Sequence, residues 1–504
     1  MRLSATVSTP ARAPGDALAV SVWQEDIRRR AIVAEDLARL DRDAHGALSA
    51  AVARESMKGE RGQRVEAATR GGRIIVFLGM GKRAKMDPRA WLILGAAASH
   101  FAREHRVKSL ALAARVEGTG EIARLLAQGL HLGGYEYALG TGEKFKRRKL
   151  PLQSTVISFL SKLPGQVTEA LRTGSIVGQA ANFARDLVNE PANVVTPTEL
   201  AARAKAWCEP AGVEVDVWGK AKLKALNCGG LLGVNQGSTE PPVMIVMRHA
   251  PEELRGGPKL ALVGKGVTFD TGGISLKPGA DMHLMKGDMA GAAAVIAAMG
   301  AIGRLRLPVQ VIAYVPSTDN MPSGSAIRPG DVVTHPNGKT TEVLNTDAEG
   351  RLILADALVH ACREKPTHLV DWATLTGACV VALGERIAGV MSPDEAWRAR
   401  VCALGTDAGE RVWPLPLDED FAEGLKKSDV ADLANIGGGR WGGAEVAGKF
   451  LEQFVDGPLW AHVDIAGPSY ASSAHAQFTT KGATGCGVPL AVRLAESLAA
   501  ARGG

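Results

Sequence analysis

Short apolar runs recur along the first third of the chain, separated by segments with helical periodicity. An apolar run of about four to eight residues bounded by turn residues is typical of a strand in a parallel sheet. The predicted strands are Ala17–Trp23, Arg73–Leu78, Ser109–Ala114 and Thr155–Leu160, and the predicted helix is Pro88–Glu104. Because strands that alternate with helices build a largely parallel sheet, we predict a smaller N-terminal α/β domain over residues 1–165.

A helical pattern over residues 166–190 follows this domain and ends at Glu190-Pro191. The residue before a proline disfavours helical backbone, so a helix is expected to end here. We predict that residues 166–190 form a helix that connects two domains.

The α/β pattern resumes from residue 191 and continues to residue 504. The predicted strands are Val213–Trp218, Val243–Arg248, Lys259–Gly264, Val309–Val315 and Thr367–Asp371, and the predicted helices are Gly291–Ile302 and Leu352–Arg363. The fold class that we expect is therefore α/β in two domains. The larger C-terminal domain is expected to be catalytic, with a mixed, mostly parallel central sheet flanked by helices.

The charge of the chain is mildly basic, with 59 Lys and Arg against 53 Asp and Glu and a net charge of +6. A solvated, mildly basic surface accounts for this excess, and so does contact with a polyanion such as DNA, which stays open as an alternative. Lys144–Lys149 is the one dense basic run. Aromatic residues make up only 5% of the chain, which argues against a platform for stacking nucleic-acid bases.

The six cysteines are scattered and form no C-x-x-C pair. In a chain of this length, such a distribution is typical of a reduced intracellular protein rather than a disulfide framework. The N-terminus lacks the apolar core of a signal peptide, and we expect no transmembrane helix. The sequence therefore predicts a cytoplasmic protein without a membrane partner.

The segment from Leu262 to Asp288 carries two acids and two lysines that are candidates for a functional site. An apolar strand ends at Gly264, so Lys265 and Asp270 are expected in a loop beyond its C-terminal end, where α/β sheets place ligand sites. Lys277 and Asp288 follow in the same glycine-rich stretch. A phosphate-binding loop is the alternative, but its glycine and Ser/Thr positions are not matched.

A second charged segment runs from Val343 to Leu354. Asp347, Glu349 and Arg351 alternate along it, and alternate side chains point the same way if the backbone is extended. A helical pattern begins at Leu352. Taken alone, the segment is equally well explained as an acidic helix cap with a solvated arginine.

The two segments together favour a two-metal site. Four carboxylates, those of Asp270, Asp288, Asp347 and Glu349, could not all ionise in one pocket without added cations. Bridging carboxylates can hold two divalent ions roughly 3.5–4 Å apart. Lys265 could be a further ligand if its amine is neutral, and such an oxygen-rich set with one nitrogen suits Zn²⁺ or Mn²⁺. Lys277 and Arg351 remain as cations able to stabilise an oxyanion or position a base.

Other catalytic groups find little support. The histidines show no paired spacing for a metal and are predicted to be structural; they include His283, His335, His360, His368 and His462. A G-x-S-x-G elbow is absent, so a serine hydrolase is not supported.

In the segments that carry these residues, the chain resembles the cytosolic leucyl aminopeptidase family of metallopeptidases. The resemblance rests above all on NTDAEGRL at residues 345–352 and on the long segment 263–295. Further matching segments are residues 184–197, 231–238, 321–332, 372–384, 426–438, 461–468 and 482–489. They cover the C-terminal part almost throughout, whereas residues 1–165 share only an α/β character.

The resemblance implies a role for each site residue. Asp270 and Glu349 would bridge two metal ions, Mn²⁺ or Zn²⁺. Asp347 would bind the looser ion, and Lys265 and Asp288 the tighter one.

The resemblance also assigns the catalytic cations and the substrate contacts. Lys277 would polarise the scissile carbonyl, and Arg351 would hold a bicarbonate that acts as general base. Leu375 and Gly377 would contact the substrate through their backbone. Thr374 and Met285 would line the first side-chain pocket, although core packing explains Met285 equally well.

The implied activity is release of leucine and other N-terminal residues from peptides with a free N-terminus. The family resemblance further implies a homohexamer, to whose assembly or regulation the N-terminal domain would contribute. Two alternatives remain: a different two-metal hydrolase such as a phosphoesterase, and an added DNA-binding regulatory role, which some bacterial members of the family have.

Overall fold

The computed structural model describes most of the chain as two compact units. The described residues are 1–137, 152–161, 165–251, 254, 256–437, 439–475 and 480–501. The basic run Lys144–Lys149 lies outside them. One unit comprises Met1–Asn182 with Ser473–Thr480, and the other comprises Phe183–Ser472 with Lys481–Gly504.

The first unit is built on a six-stranded sheet in the order β1-β8-β7-β2-β6-β5. All neighbouring pairs are parallel except β5 with β6, so the predicted largely parallel sheet is confirmed. The strands of this unit are β1 Arg2–Val7, β2 Ala17–Trp23, β3 Ile27–Arg28, β4 Ala31–Ile32, β5 Arg64–Ala68, β6 Ile74–Gly81, β7 Ser109–Ala113 and β8 Ser154–Phe159, of which β3 and β4 form a separate antiparallel pair. The helices are α1 Glu35–Asp43, α2 Ala47–Ala53, α3 Pro88–Glu104 and α4 Gly120–Gly133.

A long helix, α5 (Val167–Asn189), carries the chain from the first unit into the second. The second unit contains strands β9 Glu214–Trp218, β10 Val243–His249, β11 Lys259–Gly264, β12 Gly266–Asp270, β13 Gln310–Asn320, β14 Val332–Thr334, β15 Thr340–Glu342, β16 His368–Ala373, β17 Ala388–Met391, β18 Val412–Pro414, β19 Leu433–Ala434, β20 Leu459–Asp464, β21 Tyr470–Ala471 and β22 Gly482–Ala483. Its further helices are α6 Pro197–Cys208, α7 Lys220–Ala225, α8 Gly229–Val234, α9 Ala290–Leu305, α10 Glu349–Arg363, α11 Gly377–Leu383, α12 Glu395–Asp407, α13 Gly443–Glu452 and α14 Val488–Ala500.

The main sheet of the second unit has the order β18-β17-β20-β16-β11-β13-β10-β9, and β12 pairs with β13. Its centre is parallel, because β20, β16, β11 and β13 run in one direction. Antiparallel pairs flank this centre on both sides. On one side β17 pairs with β20, and on the other β13 pairs with β10 and β10 with β9. The predicted mixed, mostly parallel sheet is therefore confirmed.

Helices pack on the central strands of this sheet, of which β11 is mostly apolar and buried. Ala261 and Val263 of β11 lie in one core with the apolar residues of α10. Side chains alternate along a strand, so Leu260 and Leu262 point to the opposite face, and α9 also packs against β11. The parallel strands β11, β13 and β16 end at the same edge, which is where the candidate residues gather.

Among the strands, the prediction was wrong in two places at this edge. Strand β13 was expected to end at Val315 but continues to Asn320, because its last residues are polar yet buried. Residues beyond Gly264 were expected in a loop. Instead, after Lys265, Gly266–Asp270 forms β12, whose backbone pairs with β13.

One helical stretch, Met282–Leu305, is long and apolar enough to cross a membrane by composition alone. Its most apolar window is 89% buried inside the protein, as in the core helix of a globular protein. The six cysteines all lie in the described part of the chain and form no disulfide bond there.

Candidate active site

Five predicted metal ligands lie on four neighbouring pieces of chain at the edge of the main sheet. Lys265 directly follows β11, and Asp270 is the last residue of β12. Asp288 follows a 3₁₀ turn, Met282–Gly287, and precedes α9. Asp347 and Glu349 lie at the start of α10. Residues from distant parts of the sequence therefore meet at one place.

The start of α10 differs from the prediction. The helix begins at Glu349, three residues before the predicted Leu352, because its polar first turn hides the apolar periodicity. Glu349 and Arg351 are thus two residues apart on a helix rather than on an extended strand, and such residues do not share a face. The helix-cap alternative is not supported either, since Ala348 is the N-cap and makes no side-chain capping bond.

Lys265 joins two of the carboxylates. Its Nζ lies 2.8 Å from Asp288 Oδ2 and 2.9 Å from Glu349 Oε1. The same amine donates to the Thr374 carbonyl oxygen at 2.9 Å. Lys265 is 3% exposed and Glu349 2% exposed, so the amine is held on three sides in a buried position.

Lys277 joins the other two carboxylates. Its Nζ lies 2.8 Å from Asp270 Oδ2 and forms an ion pair with Asp347. Ligand oxygens of Asp270, Asp347 and Glu349 all lie within 4.8 Å of one another. The four acids and two lysines predicted from the sequence are therefore brought together.

The electrostatics of this cluster call for added cations. Burial, followed by repulsion from Asp270, raises the pKa of Glu349 well above its usual value. Burial likewise raises the pKa of Asp288 and of Asp347. The pKa values of Lys265 and Lys277 are raised too: burial alone would lower them, but the surrounding carboxylates outweigh it.

Divalent metal ions fit this donor set. Among the described residues, buried Glu349 Oε2 has no hydrogen-bond partner, which leaves a carboxylate oxygen available in the middle of the cluster. Lys265 must lose its proton to act as a ligand, and a nearby divalent cation favours that loss because it repels the ammonium charge. Carboxylate oxygens with one amine suit Mn²⁺ or Zn²⁺.

Arg351 is buried in the first turn of α10. Its Nη1 donates to the Asn435 carbonyl oxygen at 2.7 Å, whereas its buried Nε has no partner in the part of the chain that the structure describes. Burial lowers the pKa of Arg351 to about 10, against the opposing charges of Glu349 and Asp464, so the side chain remains a cation at neutral pH. It is a buried positive charge with a donor available for an anion.

The four predicted substrate contacts lie in two segments. Thr374 Oγ1 donates to Asp288 Oδ1 at 2.7 Å, which ties the segment after β16 to a predicted ligand. Leu375 is half-buried and Gly377 is exposed at the start of α11. Met285 is half-buried in the 3₁₀ turn before Asp288. Their contacts with a substrate stay predictions.

Three buried polar residues that the sequence analysis missed support the site. Asn320, at the end of β13, donates to Asp270 Oδ1 at 2.8 Å. Asp464, at the end of β20, accepts from the backbone N–H of Leu375 at 3.3 Å and from the Thr376 hydroxyl at 2.7 Å. Asn435 accepts from the backbone of Leu344 at 2.8 Å through its side chain. A polar residue that ends a buried apolar strand is the signal that could have found the first two.

The histidines that are buried deepest make structural pairs. His335 Nδ1 lies 2.7 Å from Asp356 Oδ1, and His462 Nδ1 lies 2.5 Å from Asp371 Oδ1. Both pairs are fully buried. His335 is paired at both ring nitrogens, since its Nε2 lies 3.0 Å from Thr341 Oγ1, whereas the buried Nε2 of His462 has no hydrogen-bond partner among the described residues. The structural role of the histidines stays a prediction.

Comparison with known proteins identifies the same two regions. The profile of the cytosol aminopeptidase family, catalytic domain, matches residues 182–492, and that of the N-terminal domain of this family matches residues 20–141. A probable cytosol aminopeptidase of Solibacter usitatus (strain Ellin6076) is 46% identical over 425 residues, which are 84% of this chain and 86% of that protein. A probable cytosol aminopeptidase of Chlorobaculum parvum (strain DSM 263 / NCIMB 8327) is 50% identical over 384 residues, 75% of each chain.

Solved structures with the same fold cover almost the whole chain. A mutant of tomato leucine aminopeptidase superposes with a TM-score of 0.89 at 36% identity, over 98% of this chain and 96% of that one. The bottromycin maturation enzyme BotP in complex with Mn superposes with a TM-score of 0.83 at 34% identity, over 96% of this chain and 100% of that one. The chain therefore belongs to the cytosol aminopeptidase family, and it is a metal-dependent aminopeptidase.

Proposed function

We propose that this aminopeptidase releases leucine and other N-terminal residues from peptides, with two divalent ions held by Lys265, Asp270, Asp288, Asp347 and Glu349. The observation that carries the proposal is the convergence of four carboxylates and a buried amine. Ligand oxygens of three of the acids lie within 4.8 Å of one another, and Lys265 Nζ lies 2.8–2.9 Å from two of the acids. Such a charge density is stable only with compensating cations.

In the proposed ligand set, Asp270 and Glu349 would be shared by the two ions. Lys265 and Asp288 would hold the ion at the tighter position, and Asp347 would hold the ion at the looser one. When bound, the ions supply Lewis-acid activation of a water molecule and of the scissile carbonyl. Mn²⁺ is favoured over Zn²⁺ because the bottromycin maturation enzyme, whose fold this chain shares, forms a complex with Mn.

Two cations of the chain stabilise charge during the reaction. Lys277 is half-buried beside Asp270 and Asp347, and its ammonium donates to the oxygen of the scissile carbonyl as negative charge develops there. Arg351, buried and with its Nε available, would hold a bicarbonate. Bound there, bicarbonate would supply a general base for the proton of the attacking water and a general acid for the leaving amine.

The substrate lies between two backbone segments. Leu375 and Gly377 contact the peptide backbone, and Thr374 and Met285 line the pocket for the first side chain. Thr374 also holds Asp288 through its hydroxyl, so the pocket wall and the ligand share one hydrogen bond of 2.7 Å. The free α-amine of the peptide would bind one of the metal ions, so the site favours a substrate with an unblocked N-terminus.

Hydrolysis of leucine p-nitroanilide and of its N-acetyl derivative tests this function. We expect turnover of the free amine and at least a hundredfold lower turnover of the acetylated compound, since the site recognises an N-terminal amine. Equal turnover of the two compounds would contradict an aminopeptidase mechanism at this site. Hydrolysis of p-nitrophenyl phosphate at a comparable rate would favour the alternative of a different two-metal hydrolase.

For the assembly and location of the protein, we propose a cytoplasmic homohexamer, as the family resemblance implies. Native mass spectrometry should give six times the chain mass of 52.7 kDa. A monomer or dimer at micromolar concentration would contradict it. A DNA-binding role rests on the net charge of +6 and on the family resemblance alone, and we do not propose it.

A further inference from the structure

Asn320 is a buried amide at the edge of the main sheet where the predicted ligands meet. It ends β13 and is 1% exposed. Its Nδ2 donates to Asp270 Oδ1 at 2.8 Å and to the carbonyl oxygen of Thr346 at 3.0 Å. A side-chain amide has two N–H donors, so both are used on the segments that carry Asp270 and Asp347.

The first of these bonds orients the carboxylate of Asp270. Its Oδ1 accepts from Asn320 and, at 2.9 Å, from the backbone N–H of Gly272. Its Oδ2 points instead to Lys277 Nζ, at 2.8 Å. One oxygen is therefore fixed by the protein, and the other is directed into the cluster.

The second bond fixes the segment before α10. Thr346 directly precedes Asp347, and its hydroxyl donates to the Gly272 carbonyl oxygen at 2.6 Å. The amide of Asn320 thus closes a small network in which the Asp270–Gly272 segment and the Thr346–Asp347 segment are bonded to each other and to β13. Displacement of either segment breaks bonds to the other.

A buried asparagine can also have a purely structural role, and Asn235 provides that comparison within the same unit. It is 3% exposed, and its Nδ2 donates to the Glu240 carbonyl oxygen at 2.8 Å and to Thr318 Oγ1 at 3.1 Å. The two asparagines match in burial and in the number of donated bonds. They differ in that only Asn320 bonds to a predicted ligand and to the neighbour of another.

We propose that Asn320 is a positioning residue that sets the distance between Asp270 and Asp347 and thereby couples the two metal positions. The proposal rests on the metal ligands proposed above. Partners that orient metal ligands typically change metal affinity by about 10- to 100-fold when they are removed. Because Asp347 belongs to the looser position, the loss of Asn320 weakens binding of the second ion most.

Calorimetric titration of Mn²⁺ into the metal-free, full-length chain tests the proposal. The variants are Asn320→Ala and the matched control Asn235→Ala, each measured also for its free energy of unfolding. We expect Asn320→Ala to bind the second Mn²⁺ about 10- to 100-fold more weakly. Asn235→Ala should bind as the wild type does while losing a similar amount of stability.

The outcomes separate this proposal from the proposed function. If the wild type binds fewer than two Mn²⁺ ions, the proposed metal site itself is wrong. If the wild type binds two and Asn320→Ala binds them equally tightly, the metal site stands and the role of Asn320 is overturned. If Asn320→Ala does not fold, Asn320→Ser, which keeps one donor, carries the same titration and the same criterion.

Discussion

Gly350 lies between Glu349 and Arg351 in the first turn of α10, directly against the side chain of Lys265. A Cβ at this position would lie 2.6 Å from Lys265 Cε and 2.7 Å from its Nζ. Non-bonded carbon atoms are normally about 3.5–4.0 Å apart, so the Gly350→Ala substitution displaces the amine by about 1 Å. Such a shift of the amine weakens its ion pairs with Asp288 and Glu349 and its hydrogen bond to the Thr374 carbonyl oxygen.

The size of the effect follows from this displacement. Misplacement of a catalytic group by 1 Å can cost on the order of a hundredfold in rate, which corresponds to about 2.7 kcal/mol. Alanine is favoured over glycine in a helix by about 0.8–1.0 kcal/mol, which offsets part of the steric cost to folding. We therefore expect Gly350→Ala to lose about a hundredfold in kcat/KM while its thermal midpoint changes by only a few degrees.

The assay is hydrolysis of leucine p-nitroanilide in Mn²⁺, together with thermal unfolding. Gly120→Ala is the matched control, because Gly120 also lies in the first turn of a helix, α4, and its added Cβ would make an ordinary contact of 3.7 Å with Ala170. The control should keep full activity. Wild-type kcat/KM in Gly350→Ala would refute the idea that the position of Lys265 matters for catalysis.

Three further predictions concern other residues of the site. Lys277→Ala should lower kcat by about 10²- to 10³-fold, as loss of an oxyanion donor does, whereas Lys259→Ala should not. Lys259 is a fair control because its side chain is 24% exposed, against 23% for that of Lys277, and because it too is paired with an acid. An equal loss of kcat in the two variants would contradict the role of Lys277. Asp464→Ala removes the carboxylate that holds the backbone N–H of Leu375, a proposed substrate contact. The factor by which KM rises should therefore be about ten times the factor by which kcat falls; a change in kcat alone would argue against this. Arg351→Ala should abolish any rate increase on addition of bicarbonate, and a wild-type response would exclude Arg351 as the bicarbonate site.

The proposed ligands could be singled out from the sequence because they stand out against an apolar background. Lys265 follows a strand of continuous apolar residues, and a charged residue at the C-terminal end of such a strand has few structural explanations. Asp347 and Glu349 were ambiguous alone and became informative only with Asp270 and Asp288. The four acids could be grouped because so many carboxylates in one pocket need compensating cations, and that argument requires no three-dimensional structure.

The supporting residues could not be predicted because their role depends on three-dimensional contacts. Asn320 is polar, so the apolar pattern ended β13 too early and left Asn320 out of the sheet. Asp464 ends β20, a strand that the pattern did not predict, and its carboxylate oxygens meet a loop 89 residues earlier in the chain. Strands β1 and β5 were also missed, because they lie at the two edges of their sheet and are partly exposed.

The start of α10 shows the same limit on a smaller scale. Its first turn carries the charged residues Glu349 and Arg351, both proposed as site residues, so apolar periodicity placed the start of the helix three residues too late. Charged residues at the end of a helix thus interrupt the apolar pattern, and the pattern then places the helix boundary in the wrong position.

The most direct test of the two-metal account is a measurement of metal stoichiometry against activity in one preparation. The chain is freed of metal with a chelator, and Mn²⁺ is then added back while bound metal is counted by mass spectrometry and leucine p-nitroanilide hydrolysis is followed. We predict loss of activity without metal and full recovery as the bound amount reaches two ions per chain. Full activity in the metal-free chain, or full recovery with one ion bound, would contradict the account.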